Sequence, residues 1–373
     1  MRADRSKNVL LELLDRAGVS INGPQPWDIR VNDERFYRRV LSGGSLGAGE
    51  SYMDGWWDVE QLDELFFRVL RSDIESELVR NWRVFATITA QVLINKQRKS
   101  KASEIGERHY DLGNVFFRAM LDERLVYSCA YWKEAQTLRA AQENKLDLVC
   151  RKLGLRSGMH LLDIGCGWGS LAKYAAEKYG VSVVGINNSK EQTELGKALC
   201  SGLPIEINQQ DYRDVKGRFD RIASIGMFEH VGPKNYRTYM KVVSDCLKDD
   251  GLFLLHTIGR ANRRRGYDGF TQKYIFPRGV VPTIVEFGKS VDGLFAIEDV
   301  HNIGAHYDRT LMAWFDNIES NWDQLRHIYD ERFHRMWKYF LLSFAGSSRA
   351  RRNHVWQIVL SKRGVLGGYH AIR

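Results

Sequence analysis

The chain has 373 residues, is 44% hydrophobic and 27% charged, and carries a formal net charge of +9. That length gives room for two domains with separate cores, and the composition is that of a globular protein. No stretch approaches the ~18 apolar residues of a membrane span, and the N-terminal residues lack the apolar centre of a secretory signal, so a cytoplasmic location is expected. The five cysteines (129, 150, 166, 200 and 246) form no CxxC pair; reduced thiols are expected, with neither a disulfide framework nor a metal site.

Residues 1–95 read as a smaller, mainly helical unit. Leucines at 10, 11, 13 and 14 fall on one face of a helix over 8–17. The glycines of Gly43-Gly44-Ser45-Leu46-Gly47-Ala48-Gly49 are expected to break any helix there. Met53-Asp54-Gly55-Trp56-Trp57 follows, then helices over 63–70 and 78–94. Residues 96–103 are charged and poor in apolar side chains, as in a linker. From 104 the pattern changes. Helices over 104–121 and 136–153 precede a strand over 159–164, a glycine loop, a helix over 170–179, a strand over 181–186 and a helix over 190–200. Further strands are expected over 205–208, 221–225 and 251–257. This alternation predicts an α/β, doubly wound, Rossmann-like domain over 104–373, with ligands at the carboxyl ends of its strands.

The loop reads Asp163-Ile164-Gly165-Cys166-Gly167-Trp168-Gly169, and its glycines let a ligand approach the backbone closely. In a dinucleotide fingerprint the third glycine would fall at Ser170. The denser Gly-x-Gly-x-Gly spacing instead points to S-adenosylmethionine (SAM), which has no pyrophosphate to seat on a helix N-terminus. The second strand lacks the terminal acid that often binds ribose hydroxyls. Asn187 and Asn188 stand there, with Gln192 able to reach back, and Gln210-Asp211-Tyr212-Arg213 could flank the adenine.

Charge is uneven. From Phe333 to Arg373 there are eight Lys/Arg and no Asp or Glu, and Arg260 lies near Arg263-Arg264-Arg265. Such stretches suit an anionic partner, either phospholipid headgroups or nucleic acid, and the interleaved aromatic residues suit a membrane interface but also RNA. No Asn-Pro-Pro-Tyr-like motif and no Pro-Cys pair supports nucleic-acid methylation, so no nucleic-acid partner is expected.

Over nearly its whole length the chain resembles the cyclopropane-fatty-acid synthases, including the mycolic acid cyclopropane synthases and their methyltransferase relatives. The resemblance rests on Gly47-x-Gly49-Glu50-Ser51-Tyr52-Met53-Asp54-Gly55-Trp56, His109-Tyr110-Asp111-Leu112-Gly113-Asn114, Tyr127-Ser128-Cys129-Ala130-Tyr131-Trp132 and the glycine loop. It continues through Gly226-Met227-Phe228-Glu229-His230-Val231-Gly232, His256-Thr257-Ile258-Gly259, Lys273-Tyr274-Ile275-Phe276-Pro277 and Tyr307-x-x-Thr310-Leu311-x-x-Trp314.

The resemblance implies that a methylene derived from SAM is added across a cis double bond of an unsaturated acyl chain in a membrane phospholipid. The alkene attacks the methyl, a carbocation forms, and loss of a proton from the new methyl closes the ring. Methylation of the same double bond without ring closure is the alternative. The implied base is a bound bicarbonate held by Cys129, Glu229, His256, the Ile258 backbone and Tyr307. The implied SAM contacts are Tyr127, Ser128, Leu161, Leu162, Asp163, Ile164, Gly165, Cys166, Gly167, Trp168, Gly169, Asn187, Asn188, Ser189, Gln192, Tyr212, Arg213 and Ile225. Phe270, Tyr274, Phe276, Met312 and Trp314 are candidates for an acyl channel. Residues 1–95 resemble a domain of the phospholipid-acting members that is associated with dimers, which implies a homodimer peripherally bound at the inner face of the membrane. Two departures stand out: Phe344 occupies a position where many relatives have cysteine, and Asn187-Asn188 replace Thr and an apolar residue.

Overall fold

The structure, a computed structural model, describes residues 2–72, 113–260 and 267–373. The expected helix over 78–94, the linker 96–103, the first half of the helix over 104–121, His109-Tyr110-Asp111-Leu112 and Arg263-Arg264-Arg265 lie outside the described residues. Contacts divide the chain into two compact units: Met1–Asn95 with Gly266–Pro277 and Leu311–Asn353, and Lys96–Arg265 with Arg278–Thr310 and His354–Arg373. The first unit thus holds two segments that the sequence pattern had assigned to the C-terminal domain.

In the first unit, the helix Arg2–Arg16 leads to a short antiparallel ribbon of β1 (Arg30–Val31) and β2 (Trp57–Asp58), with the helices Arg35–Met53 and Leu62–Arg71 beside it. The glycine-rich stretch is not a break. Only Gly44 leaves helical geometry, at φ 54° and ψ −136°, and the helix resumes through Met53. Its later glycines are sites of close packing, since a Cβ on Gly49 would lie 2.1 Å from the Phe270 ring. The buried Glu50 on this helix accepts from Arg39, from Lys273 Nζ at 2.5 Å and from the Tyr274 hydroxyl at 3.0 Å. Trp57 donates to the Ser51 hydroxyl at 3.1 Å and meets Tyr52 and Tyr339 edge-on.

Most of the C-terminal cations are engaged inside the molecule. Arg335 binds Asp58 at 2.7 Å and the carbonyls of Tyr52 and Trp57. Arg349 binds Asp63 at 2.7 Å, and Arg352 binds the Leu70 carbonyl at 2.6 Å. In the second unit, Arg373 pairs with Asp299, while Lys362 and Arg363 face Asp249. The basic stretch is therefore a weaker free field than its residue count suggested.

The second unit is built on a seven-stranded sheet of β3 (His160–Ile164), β4 (Ser182–Asn187), β5 (Ile205–Gln209), β6 (Phe219–Ile225), β7 (Leu247–Gly259), β8 (Ala296–Asn302) and β9 (His354–Ser361), in the order β5-β4-β3-β6-β7-β9-β8. β9 runs antiparallel to both its neighbours, and the β3–β4, β3–β6, β4–β5 and β6–β7 pairs are parallel. Residues alternate between two cores: Leu162, Ile222, Phe253 and Ile358 in one, Leu161, Ala223, Leu254 and Val359 in the other. Both faces are covered, as parallel strands require. Burying each such aliphatic side chain contributes roughly 1.5–3 kcal/mol. The helices Ser170–Tyr179 and Lys190–Leu199 return the chain after β3 and β4. The order reverses about β3, which opens a crevice at the carboxyl ends of β3, β4 and β6.

Candidate active site

β3 ends at Asp163-Ile164, and the next two amides, of Gly165 and Cys166, both donate to the Ile186 carbonyl at the end of β4, at 2.9 and 3.0 Å. Gly165, Gly167 and Gly169 hold φ of 84°, 55° and 82°, which glycine alone adopts at low cost. The loop they form bounds a cavity. Of the expected cofactor residues, the lining includes Tyr127, Ser128, Asp163, Ile164, Gly165, Cys166, Gly167, Trp168, Asn187, Asn188, Ser189, Gln192, Tyr212, Arg213 and Ile225. Three expected contacts fall elsewhere. Leu161 and Leu162 are fully buried in the two sheet cores. Gly169 caps the following helix, where a Cβ would lie 2.8 Å from the Cys200 sulfur.

The side of the cavity beyond β4 is polar and neutral. Asn187 Nδ2 donates to Gln192 Oε1 at 2.8 Å and to the Gly167 carbonyl at 3.3 Å. The Ser189 hydroxyl caps the helix Lys190–Leu199 by accepting from the Gln192 amide. Gln210 and Asp211, seen in the sequence as flanking residues, also line the cavity, and Asp211 is tied to Arg213 at 3.0 Å.

The opposite wall is a strap containing Val126, Tyr127 and Ser128. Gln142, on the helix Leu138–Lys152, donates to the carbonyls of Val126 and Ser128 at 3.2 and 2.9 Å. One turn on, Lys145 Nζ donates to the Ser128 hydroxyl at 2.9 Å. Lys145, Gly226, Met227 and His230 line the cavity and were not expected from the sequence. The signal available for Lys145 was a Gln and a Lys spaced i,i+3 on a helix whose neighbouring positions are apolar. Asp163 is deeply buried, with Oδ2 lacking a partner, and desolvation pushes its carboxyl up to about 7 against the opposing effect of Lys145.

Beyond Ile225 lies the second group of expected residues. The turn Phe228–His230 carries His230 to the cavity and Glu229 away from solvent. Glu229 Oε1 accepts from the Ile258 amide at 2.6 Å, while Oε2 is buried without a partner. Burial pushes this carboxyl up to about 7. The Ile258 amide is thus engaged by Glu229 rather than left as an open donor. His256 pairs with Ile225 across β6–β7 and with Gln357 across β7–β9. Its Nδ1 lies 3.4 Å from Gln357 Nε2, and burial holds it well below the ordinary histidine range. An amide donor at Nδ1 makes that nitrogen the acceptor and leaves the proton of a neutral ring on Nε2. Cys129 is a neutral buried thiol, pushed up by desolvation, with its sulfur 3.9 Å from the Ile303 carbonyl. Tyr307 begins the helix Tyr307–Leu325, four residues further on. Thr310, on the same turn, accepts from the Ala130 amide at 3.1 Å and the Trp132 indole at 2.9 Å, which fixes the Cys129 segment.

The acyl-channel candidates Phe270, Tyr274, Phe276, Met312 and Trp314 all belong to the first unit. Phe270 and Trp314 are fully buried there, and Phe276 stacks on Tyr267. Phe344 packs at a tilt against both Phe340 and Tyr267, and a phenyl ring offers no thiol chemistry at that position.

A mostly parallel sheet with one antiparallel strand, a three-glycine loop at its switch point and a neutral polar wall beyond the second strand defines a SAM-dependent transferase of Rossmann-like fold. Residues 96–358 match the family described as mycolic acid cyclopropane synthetase, and the chain belongs to that family. It is 50% identical to the cyclopropane-fatty-acyl-phospholipid synthase of Escherichia coli K12, over 97% of this chain and 94% of that protein. A cyclopropane synthase structure from Mycobacterium tuberculosis superposes with a TM-score of 0.66 at 32% identity, covering 70% of this chain and 98% of that one. A mycolic acid cyclopropane synthase complexed with S-adenosylhomocysteine (SAH) and CTAB gives the same TM-score at 34% identity, with the same coverage.

Proposed function

We propose that this enzyme converts cis double bonds of phospholipid acyl chains to cyclopropanes, with Cys129, Glu229, His256 and Tyr307 around a bicarbonate base and the Ile258 amide holding the Glu229 carboxyl in place. When bound, SAM supplies an electrophilic methyl and bicarbonate a small base for a proton of that methyl. The observation that carries the reading is the buried, partnerless Glu229 Oε2 on the same short turn as a residue of the cofactor cavity. A carboxylate oxygen in that state calls for a hydrogen-bond donor, and the hydroxyl of bicarbonate is one. A neutral His256 held by Gln357 offers its Nε2 proton to an anion oxygen, and the Tyr307 hydroxyl can do the same. The burial of Glu229 and His256 keeps water from quenching a carbocation.

The phospholipid substrate is supported by the E. coli relative, a cyclopropane-fatty-acyl-phospholipid synthase. The mycolic acid family match begins at residue 96, whereas the E. coli relative aligns over 97% of this chain; that residues 1–95 are shared with the phospholipid-named relative supports intact phospholipid as substrate, and with it our reading of a homodimer attached peripherally to the inner face of the membrane. No helix among the described residues is long and apolar enough to cross a membrane. Simple methylation is the competing outcome, because a probable fatty acid methyltransferase of Pseudomonas putida is 38% identical over 64% of this chain.

The test is to incubate the full chain with SAM and vesicles of unsaturated phospholipid, then examine the acyl chains by mass spectrometry and NMR. A gain of one CH2 with loss of the olefin is expected. A gain that keeps the olefin selects methylation, and no gain with any lipid refutes both.

A further inference from the structure

We propose that Lys145 is the cation that receives the carboxylate of SAM, acting together with the Ser128 hydroxyl that it orients. The inference rests on the cofactor cavity described above and assigns the charge that holds one end of the ligand.

SAM and SAH each carry a single anionic group, the α-carboxylate. Burying it without a cation or several N–H donors is costly. The described residues lining the cavity include three basic side chains: Lys145, Arg213 and His230. Arg213 is bound to Asp211 at 3.0 Å, beyond β5 and on the far side from the strap. His230 is buried, which lowers it to about 4 and keeps it neutral at ordinary pH. Lys145 differs from both. Its side chain is 1% exposed, and its one hydrogen bond among the described residues is to the Ser128 hydroxyl. An ammonium has three N–H donors, so two remain for a ligand oxygen.

Geometry fixes the role of Ser128. An ammonium cannot accept, so in the Lys145–Ser128 contact the serine oxygen accepts and its own O–H is free to donate. Gln142 clamps the carbonyls on both sides of Tyr127 through the same helix, so the hydroxyl and the ammonium keep a constant separation. A carboxylate has two oxygens, and the strap offers two kinds of donor side by side, one charged and one neutral. Desolvation pulls Lys145 down to about 8, partly offset by Asp122 and Asp163. A carboxylate arriving within hydrogen-bond reach would restore the charged form.

A merely structural Lys145, buried to balance Asp163, would be indifferent to the ligand's carboxylate. Removing the carboxylate from the ligand therefore separates the two roles. The full chain is titrated with SAH and with decarboxylated SAH, as the wild type and as Lys145→Met and Ser128→Ala. A charge-assisted contact of this kind corresponds to about 30-fold in affinity. Wild type should bind SAH about 30-fold tighter than its decarboxylated form. Lys145→Met should discriminate less than about threefold and bind the decarboxylated ligand as wild type does. Ser128→Ala should fall between them. If wild type discriminates less than threefold, or if Lys145→Met keeps the wild-type ratio, the assignment is overturned. If Lys145→Met does not fold, Lys145→Gln carries the same comparison, with the same loss of discrimination expected and a wild-type ratio overturning the assignment. Failure of wild type to bind SAH at all would instead remove the cofactor site itself.

Discussion

Replacing Glu229 with Gln tests the proposed base site most directly, because the substitution is nearly isosteric and its effects on turnover and on stability have different causes. The Gln side-chain oxygen can keep the bond from the Ile258 amide, now 2.6 Å long. The other terminal atom changes from an unpartnered acceptor to an NH2 donor, so a hydroxyl that Oε2 would accept is met by hydrogens. Loss of one charge-assisted hydrogen bond, roughly 1.5–3 kcal/mol, lowers turnover about 10- to 150-fold; a direct role in stabilising the cation raises this toward about 10³-fold. SAH affinity should stay within about threefold. Stability moves the other way. A carboxyl raised from 4.5 to about 7 in the folded state binds its proton more tightly there than in the unfolded chain. Its stabilising effect is complete below about pH 4.5 and is lost as pH rises through 7, a change of about 3 kcal/mol. The Gln variant lacks this titration. Its melting temperature relative to wild type should therefore climb by several degrees between pH 5 and pH 8, then level off. Turnover within a factor of three of wild type would take Glu229 out of the chemistry, and a pH-independent difference in melting temperature would refute its buried, uncompensated charge.

Gln357→Leu removes the amide that fixes Nδ1 of His256; kcat should fall about tenfold or more with SAH affinity unchanged, measured by acyl-chain mass spectrometry and calorimetry. Asp163→Asn should flatten the dependence of melting temperature on pH, because a carboxyl raised to about 7 loses its stabilising effect as pH rises toward that value. Gly49→Ala places a Cβ 2.1 Å from the Phe270 ring and should cost about 1–3 kcal/mol in chemical denaturation. Arg335→Met, which breaks the contacts with Asp58, Tyr52 and Trp57, should lower stability by about 2 kcal/mol but leave vesicle affinity within twofold; a large loss of vesicle binding instead would restore the basic stretch as a docking field.

Local patterns in the sequence were legible wherever a neighbour in sequence is also the neighbour in space. The helix over 170–179 was placed to the residue, because Gly169 and Gly180 punctuate it in left-handed geometry at both ends. The loop and its polar wall were legible for the same reason: strand, turn and helix are contiguous there. β8 and β9 were not foreseen. The chain leaves the sheet after Asn302, builds part of the other unit over 311–353, and only then returns as His354–Ser361. That last segment, between Arg352 and Lys362, holds the apolar strand run Val355-Trp356-Gln357-Ile358-Val359-Leu360, which also carries the partner of His256. The free field at the same place is smaller than the count of Lys and Arg, since Arg335 and Arg349 find their carboxylates on Asp58 and Asp63, more than two hundred residues earlier. The glycines at 47 and 49 were misjudged because glycine is both a helix breaker and the residue that lets another element approach a helix closely; only the approach of Phe270 to Gly49 decides which role it has. Lys145 follows the same rule. A lysine on a helix reads as solvated until the strap at 126–128 is laid over it; the helical spacing of Gln142 and Lys145 among apolar positions hints at burial, and only the contact with Ser128 shows what the ammonium faces.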